Sequence, residues 1–544
     1  MRLLHSLVAI IVGAVISSVQ CTESSSPNNY EYNLIIIGAG PSGIAAATQL
    51  VTDGIETDFI ILEAQDRIGG RVHTVPYDGN TSIDMGAQFI DGQVGNPVYK
   101  MAKEHNLTVE GCEDMSGFHF YNSSGDPMDA NDSLKFWEMV EGSMYGNKEM
   151  KQYNGSLGDY VWEKMRTDLA KNASLSHMLS SPRFEQLLNY FGKFENAVDA
   201  SDSWFETSAK GIAQYDQLDG CPGGVQWKKG GYGNVIKLLL KQLPGQTPID
   251  LTKNLHLNKE VTSINWSEPN SIIVNCSDGT SYTGDRVLVT VSLGVLKNRT
   301  DLFEPTLPSW KKDAIEGLFF GSDAKIFLRF PNKWWPDEVE GFNLFWTHQD
   351  EKTLFKEIGG VDGRPWVMDV YGFYTNSEDP QTLLGWVSGP SARYMESLTD
   401  DQVMLDSTKL LRHFLSSNYT IPDPIRLVRS SWYSNPHFKG SYSCRSLETE
   451  AKNTSAAELG APVVNGEGKP VLLFAGEATN PLHYATVHGA IETGWPSQIF
   501  QHTYFFIANY GKFKIRILLY FKTFLMLERW HKDQQLAKPN ISTQ

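Results

Sequence analysis

At 544 residues the chain is longer than one hydrophobic core ordinarily organises, so two or more domains are expected. Its composition, 41% hydrophobic and 20% charged, is that of a globular protein. A formal net charge of −16 argues against nucleic acid, whose phosphates demand basic surface, and suits a cationic small molecule drawn in by the overall field.

The chain opens with Arg2, an apolar run Leu3 to Ile16, and small or neutral residues to Cys21. That run is short for a membrane span and right for a secretory signal over residues 1–21. Asn-x-Ser/Thr sequons at Asn80, Asn106, Asn122, Asn131, Asn154, Asn172, Asn265, Asn275, Asn298, Asn418, Asn453 and Asn540 support export independently. The expected location is therefore extracellular or the lumen of the secretory pathway. After the expected cleavage Cys112, Cys221, Cys276 and Cys444 remain, with no metal-ligand spacing. One or two disulfides, or four buried thiols, are both compatible with the pattern.

Residues 22–30 read as an unstructured leader. Leu34–Ile37 is wholly apolar and is read as a buried parallel strand, Ile44–Leu50 as a helix and Phe59–Leu62 as the next strand. This βαβ unit opens a doubly wound α/β domain. From about 100 to 225 the pattern is helical and aromatic. Strands are predicted at Val261–Trp266, Ser271–Cys276 and Arg286–Val291, then at Ala324–Phe330, Pro365–Gly372, Leu383–Val387 and Pro470–Ala475. The expected organisation is a discontinuous nucleotide-binding domain (30–100, 226–300 and 436–495) interleaved with an α+β substrate domain (101–225 and 301–435).

The sharpest motif is Gly38-Ala39-Gly40-Pro41-Ser42-Gly43, directly after a strand and opening a helix. Gly38 permits the tight turn, Gly40 lets backbone approach a pyrophosphate, and Gly43 lets helix and strand pack closely. The helix N-terminus adds free N–H groups and positive dipole. Glu63, at the end of the second strand, stands where a carboxylate accepts ribose hydroxyls. The stretch Glu63 to Val72 then adds a second glycine turn with Arg67 and Arg71.

Together with Asp84-Met85-Gly86-Ala87-Gln88-Phe89-Ile90, Trp227 to Tyr232, Val287 to Leu296, Phe474 to Thr479 and Thr486 to Ala490, this resembles the flavin-containing amine oxidases, which include monoamine and polyamine oxidases. The resemblance runs from about Asn33 to Gly494 and lies nearest the animal polyamine and spermine oxidases. It implies FAD as cofactor, and an FAD site built from Gly38, Gly40, Gly43, Glu63, Arg71, Gly86, Ala87, Gln88 and Val261, the last through its backbone. It also implies Glu477 near the ribityl or pyrophosphate region, and Thr486 and Val487 near the flavin ring.

The same resemblance implies that Lys325, in Gly321 to Leu328, holds a water against the flavin; without it, a lysine opening an amphipathic strand reads as a solvated charge. Tyr442 matches one wall of an aromatic cage for the amine, with Trp432 expected beside it. Asp91 matches a substrate-channel position that carries Glu in plant polyamine oxidases and His in the animal enzymes. A carboxylate there attracts a secondary ammonium, whereas an Asp before Gly is also a common loop cap. Glu195, Asp199 and Asp202 are candidate partners for a distal ammonium, or an exposed acidic cluster. No metal and no protein nucleophile is required.

Thr486 stands where monoamine oxidases carry Tyr, which favours polyamines. An amino-acid oxidase would need an arginine clamp; the sequence places none, and Arg445 and Arg393 stay open for that role. The expected activity is oxidation of spermine, spermidine or their N-acetylated forms by oxygen, releasing a shorter amine, an aminoaldehyde and hydrogen peroxide. The alternatives are another amine or L-amino-acid oxidase, or a secreted flavin-binding protein without turnover. Trp495-Pro496 breaks the pattern, and the basic, apolar tail 496–544 is read as an altered C-terminus in preference to a membrane-surface segment.

Overall fold

The computed structural model describes residues 29–55, 58–109, 116–144, 148–221 and 223–495. The expected signal segment 1–21 and the tail 496–544 lie outside them. Among the described residues no helix is long and apolar enough to cross a membrane.

The Leu-Ile-Ile-Ile run forms β1 (Leu34–Ile37), buried along its whole length. A strand apolar on both sides is stable only where both faces of its sheet are covered. α1 (Pro41–Thr52) starts on Pro41, whose fixed φ suits a first turn and whose missing N–H costs nothing there. β2 (Phe59–Leu62) returns parallel to β1. The later elements that build the site are α2 (Pro182–Val198), β3 (Val287–Val289), β4 (Asp323–Arg329), β5 (Pro470–Phe474) and α3 (Val487–Gly494).

The order β2–β1–β3–β5 is parallel throughout, with Ile61, Ile36, Leu288 and Leu473 abreast. Leu255–His256 extends this sheet beyond β2, and Val463–Val464 lies antiparallel beyond β5. The chain leaves β1 toward β2 on one side and reaches β3 on the other. The C-terminal end of β1 is therefore the switch point where a doubly wound sheet opens a crevice. One apolar cluster joins α1, α3 and the face of β1 carrying Ile36. A second joins the opposite face to a five-stranded sheet that includes Val261–Glu268 and Ser271–Cys276.

A separate six-stranded sheet runs Arg426–Arg429, β4, Thr382–Ser388, Gly372–Thr375, Gly341–Phe345, Phe118–Asn122. The helix Asp400–Leu415 packs on one side, and α2 with the helices Ala130–Met144 and Leu157–Lys171 on the other. The fold is the expected α/β unit with an interleaved α+β body.

Two expectations for this second body are corrected. Pro365–Gly372 is not a strand: Trp366–Asp369 is a short 3-10 turn, and the strand begins at Gly372. Trp366, Val367, Met368 and Val370 are all fully buried, so an apolar run without alternation concealed the turn. Phe118–Asn122, inside the stretch read as helical, is an edge strand paired with Gly341–Phe345. Of the two alternatives for the cysteines, the one with a disulfide holds: Cys221 is disulfide-bonded, while Cys276 and Cys444 are free and buried.

Candidate active site

A cavity of about 610 Å³ extends from the C-terminal end of β1 to the inner face of β4. Its walls include Gly38, Gly40, Glu63, Arg71, Gly86, Ala87, Gln88, Val261, Glu477, Thr486 and Val487, together with Lys325, Asp91, Trp432 and Tyr442. Residues up to about 450 positions apart in sequence thus share one chamber.

At the β1 end, Gly38 has φ +102° and lies so close to Thr290 that a Cβ would meet its Oγ1 at 2.7 Å. A Cβ on Gly40 would meet nothing within 4 Å, so here the backbone is open to the chamber. Gly43 has the close-packing place read from the motif and does not itself line the chamber. Its Cβ would meet the Gly38 carbonyl at 2.1 Å, which makes it the contact between α1 and the turn.

No side chain caps α1. Its first-turn N–H groups are therefore available to an anion, and the Ser42 hydroxyl is buried without a partner. Glu63 accepts from Ala39 N at 2.7 Å and from Gln65 N at 2.9 Å, which holds its carboxylate at the chamber wall.

Glu477 is a fastener. One oxygen accepts from Arg71 Nη1 at 2.8 Å, the other from Ser443 Oγ at 2.6 Å and Ala485 N at 2.8 Å. Arg71 also donates to the Ser441 carbonyl at 2.7 Å and lies over the Phe320 ring. The pair therefore ties the second glycine turn to the segment entering α3. Thr486 caps α3, accepting from Gly489 N at 2.9 Å.

Lys325 contradicts the solvated-charge alternative. Alternation along β4 puts Ala324, Ile326 and Leu328 into the core and turns Lys325 the other way, yet Lys325 is only 6% exposed. Its Nζ donates to Asp84 O at 2.9 Å, Gly86 O at 2.8 Å and Gln88 Oε1 at 2.7 Å, so all three ammonium protons are placed. Burial pushes its pKa down to about 8, against the raising influence of Asp84 and Asp323. Asp84 itself is raised by burial, and it accepts from Tyr232 N and Thr74 Oγ1.

The Asp91 carboxylate is held from outside its own loop. Tyr215 Oη donates to one oxygen at 2.7 Å and Gln217 Nε2 to the other at 3.2 Å. Loop capping therefore does not account for it. Asn96, the N-cap of the helix Pro97–Glu104, donates to the Asp91 backbone carbonyl at 2.7 Å and contacts His488 Nδ1 at 3.3 Å.

Tyr442 donates its hydroxyl to the Ala197 carbonyl. Trp432 faces the same chamber, but its ring partner is Phe438, with centroids 5.1 Å apart. Its indole donates to Met85 O at 3.0 Å.

Further readings of charged residues are corrected. Glu195 does not line the chamber: it is 2% exposed on α2, and burial with the nearby Asp199 raises its carboxyl well above the usual range. Asp199 is likewise buried, pushed to about 7, so these two are not an exposed cluster. Asp202 is paired two-pronged with Arg393, at 2.8 and 2.7 Å, which removes both a cation partner and a carboxylate clamp. Arg445 is turned to Gln214 and Pro481 O, and it too is absent from the chamber wall.

The residues not anticipated are Tyr215, Gln217, Asn96, His488, Trp386 and Asp323. Of these Asp323 was accessible, because it lies two positions from Lys325 on the same strand face.

An open glycine turn, an uncapped helix N-terminus with an orphan hydroxyl, an acid after β2 and a long chamber fit an adenine dinucleotide. The flavin-containing amine oxidoreductase family matches residues 41–496. The chain is 27% identical over 493 residues to the peroxisomal N(1)-acetyl-spermine/spermidine oxidase of Bos taurus, covering 85% of this chain and 93% of the relative. It is 29% identical over 489 residues to probable polyamine oxidase 4 of Arabidopsis thaliana, covering 86% of each. Putrescine oxidase with bound putrescine shares the fold, with a TM-score of 0.61 at 18% identity over 86% of this chain and 98% of that one. The chain belongs to the flavin-containing amine oxidoreductase family and is an FAD-dependent amine oxidase.

Proposed function

We propose that the substrate is a polyamine, spermine, spermidine or an N-acetylated form, oxidised with oxygen and water to an aminoaldehyde, a shorter amine and hydrogen peroxide. The observation that carries this reading is the anchored Asp91 carboxylate in a chamber that Tyr442, Trp432 and Trp386 also line. Such a wall suits a cation: the carboxylate attracts the ammonium and aromatic faces stabilise it. Among the described residues the arginines at the chamber are Arg71 and Arg299, and each is already paired with a carboxylate, Glu477 and Asp301 respectively. No guanidinium is thus left to clamp an amino-acid carboxylate. The two relatives named as oxidases of acetylated spermine or of polyamines support the same substrate class.

When bound, FAD supplies the two-electron acceptor for the carbon beside nitrogen. The chain's part is then to orient that carbon and exclude water. Gly38, Gly40, Glu63, Arg71, Glu477 and the α1 N-terminus would hold the cofactor. Asp91 would bind the ammonium and Tyr442 would shape its approach. Lys325, buried and near its neutral point, would hold or release a proton at Nζ.

We also propose that the chain enters the secretory pathway. The apolar run before Cys21, the recurring sequons and the disulfide at Cys221 support this. Expression of the full chain in animal cells, with oxidase activity assayed in medium and in lysate, tests it. Activity confined to the lysate in glycosidase-insensitive form refutes it.

The test of function is anaerobic mixing of the purified holoprotein with spermine, spermidine and N-acetylspermine, following the flavin band. Bleaching by these amines and not by L-amino acids is expected. A flavin band that all three leave unchanged refutes the polyamine reading.

A further inference from the structure

Asp323 is the one carboxylate on the inner face of β4, and the expected chemistry leaves it without a task. It faces the chamber, and its Oδ1 is buried with no partner. The groups that sense its charge are Lys325, Tyr371 and Tyr442, whose hydroxyl is also close enough to hydrogen-bond the carboxyl group. Lys325 is the cation among them, but its three N–H bonds are spent on Asp84 O, Gly86 O and Gln88 Oε1. None remains for Asp323. A carboxylate taken out of water with one neutral hydroxyl and no hydrogen-bonding cation beside it is costly, and protonation or a cation from outside relieves that cost. Burial accordingly raises the Asp323 carboxyl well above its usual range.

The position also fits a cation of defined spacing. Asp323 and Lys325 alternate onto one face of β4, so their Cα atoms lie about 7 Å apart along the strand. A short methylene spacer between two nitrogens covers a comparable length. We propose that Asp323 is a second-cation subsite, binding an ammonium of the substrate one spacer away from the nitrogen whose carbon is oxidised near Lys325. This rests on the amine-oxidising reading of the same chamber and adds a reason for its preference: diamines and polyamines fill the subsite, whereas monoamines leave the carboxylate bare. Binding is a proton exchange. The carboxyl O–H bond breaks, its proton goes to solvent, and the carboxylate accepts an N–H from the incoming ammonium; no electron moves.

The experiment compares wild-type holoenzyme with Asp323→Asn and Asp323→Glu, each checked for flavin content. Anaerobic flavin reduction is measured with spermine and with an N-alkyl monoamine of matched length that lacks the distal nitrogen. For Asp323→Asn the half-saturating spermine concentration should rise at least about tenfold relative to that of the monoamine, so that the preference for spermine over the monoamine falls by that factor. Asp323→Glu reaches further into the chamber and should shift preference toward shorter diamines.

A second readout does not depend on turnover. Calorimetric titration with an unreactive diamine, in buffers of different ionisation enthalpy, should show proton release in wild type and none in Asp323→Asn. Equal losses with both amines, or a lower limiting rate at unchanged half-saturation, would mean that Asp323 acts through Lys325 and would overturn the subsite. So would diamine binding without proton release. If no amine bleaches the wild-type flavin, the amine reading itself fails, and the calorimetric result still decides whether Asp323 binds a cation.

Discussion

Lys325→Met tests whether β4 really buries a cation in a low-dielectric chamber. Methionine nearly matches lysine in length, so the packing of β4 is retained while the charge and three donors are lost. In the folded protein Lys325 titrates at about 8, against 10.5 for the free side chain. At about 1.4 kcal/mol per tenfold change in protonation, that difference corresponds to about 3 kcal/mol.

Because the folded pKa is the lower one, the unfolded chain binds more protons between about pH 8 and 10.5. Stability from this group therefore rises with pH across that window. Below it, the folded state carries a charge that burial disfavours. The bonds to Asp84 O, Gly86 O and Gln88 Oε1 favour the ammonium and are already contained in the folded pKa; only the two that a neutral amine can still donate add an offset independent of pH. Unfolding by urea at matched excess FAD, from pH 7 to 10.5, would be followed by flavin release for both proteins. The stability of wild type minus that of the variant should climb by about 3 kcal/mol across the range. Other titrating groups largely cancel in the difference. A difference that stays flat, or falls, would show that Lys325 is not desolvated and would remove the basis for its proton role.

Tyr215→Phe deletes the 2.7 Å donor to Asp91 and should raise KM for spermine by about tenfold, leaving the flavin spectrum unchanged; an unaltered KM separates Asp91 from amine binding. Gly43→Ala forces a Cβ to 2.1 Å from the Gly38 carbonyl, and the product should purify without bound FAD; full flavin content would contradict the close α1 contact. Asp202→Asn breaks a half-buried pair with Arg393 and should cost about 1 kcal/mol at most while leaving polyamine KM unchanged, which steady-state kinetics and thermal melts can separate. His483, held 2.7 Å from Glu492, has its pKa raised, chiefly by that bond and charge against the opposing pull of burial. Its stabilisation is present below its unfolded pKa and lost as pH rises through the folded one, so His483→Gln should lower the melting temperature at pH 6 and not at pH 9. If the chain is exported, peptide mapping should find glycans at the exposed Asn80, Asn131 and Asn154.

Much of the cofactor end is legible in the chain because its causes are local. Leu34–Ile37 is apolar at every position, the glycines of the turn are needed by backbone that lies within a few residues, and Glu63 follows one strand later. The same is true of β4 as a strand. Its inner face is another matter: alternation says that Asp323 and Lys325 point together, but whether that side meets water or a chamber depends on Asp84 to Gln88, more than 230 positions away. Asp91 reads as a turn residue until Tyr215 and Gln217 arrive from over 120 positions downstream. Glu195 reads as a surface acid until α2 packs it inward, and Pro365–Gly372 reads as a strand because residues buried on every side carry no period. Local sterics and periodicity act between near neighbours and leave their mark in sequence; burial and charge pairing are set by which distant segments share a chamber, and tertiary packing alone makes that choice.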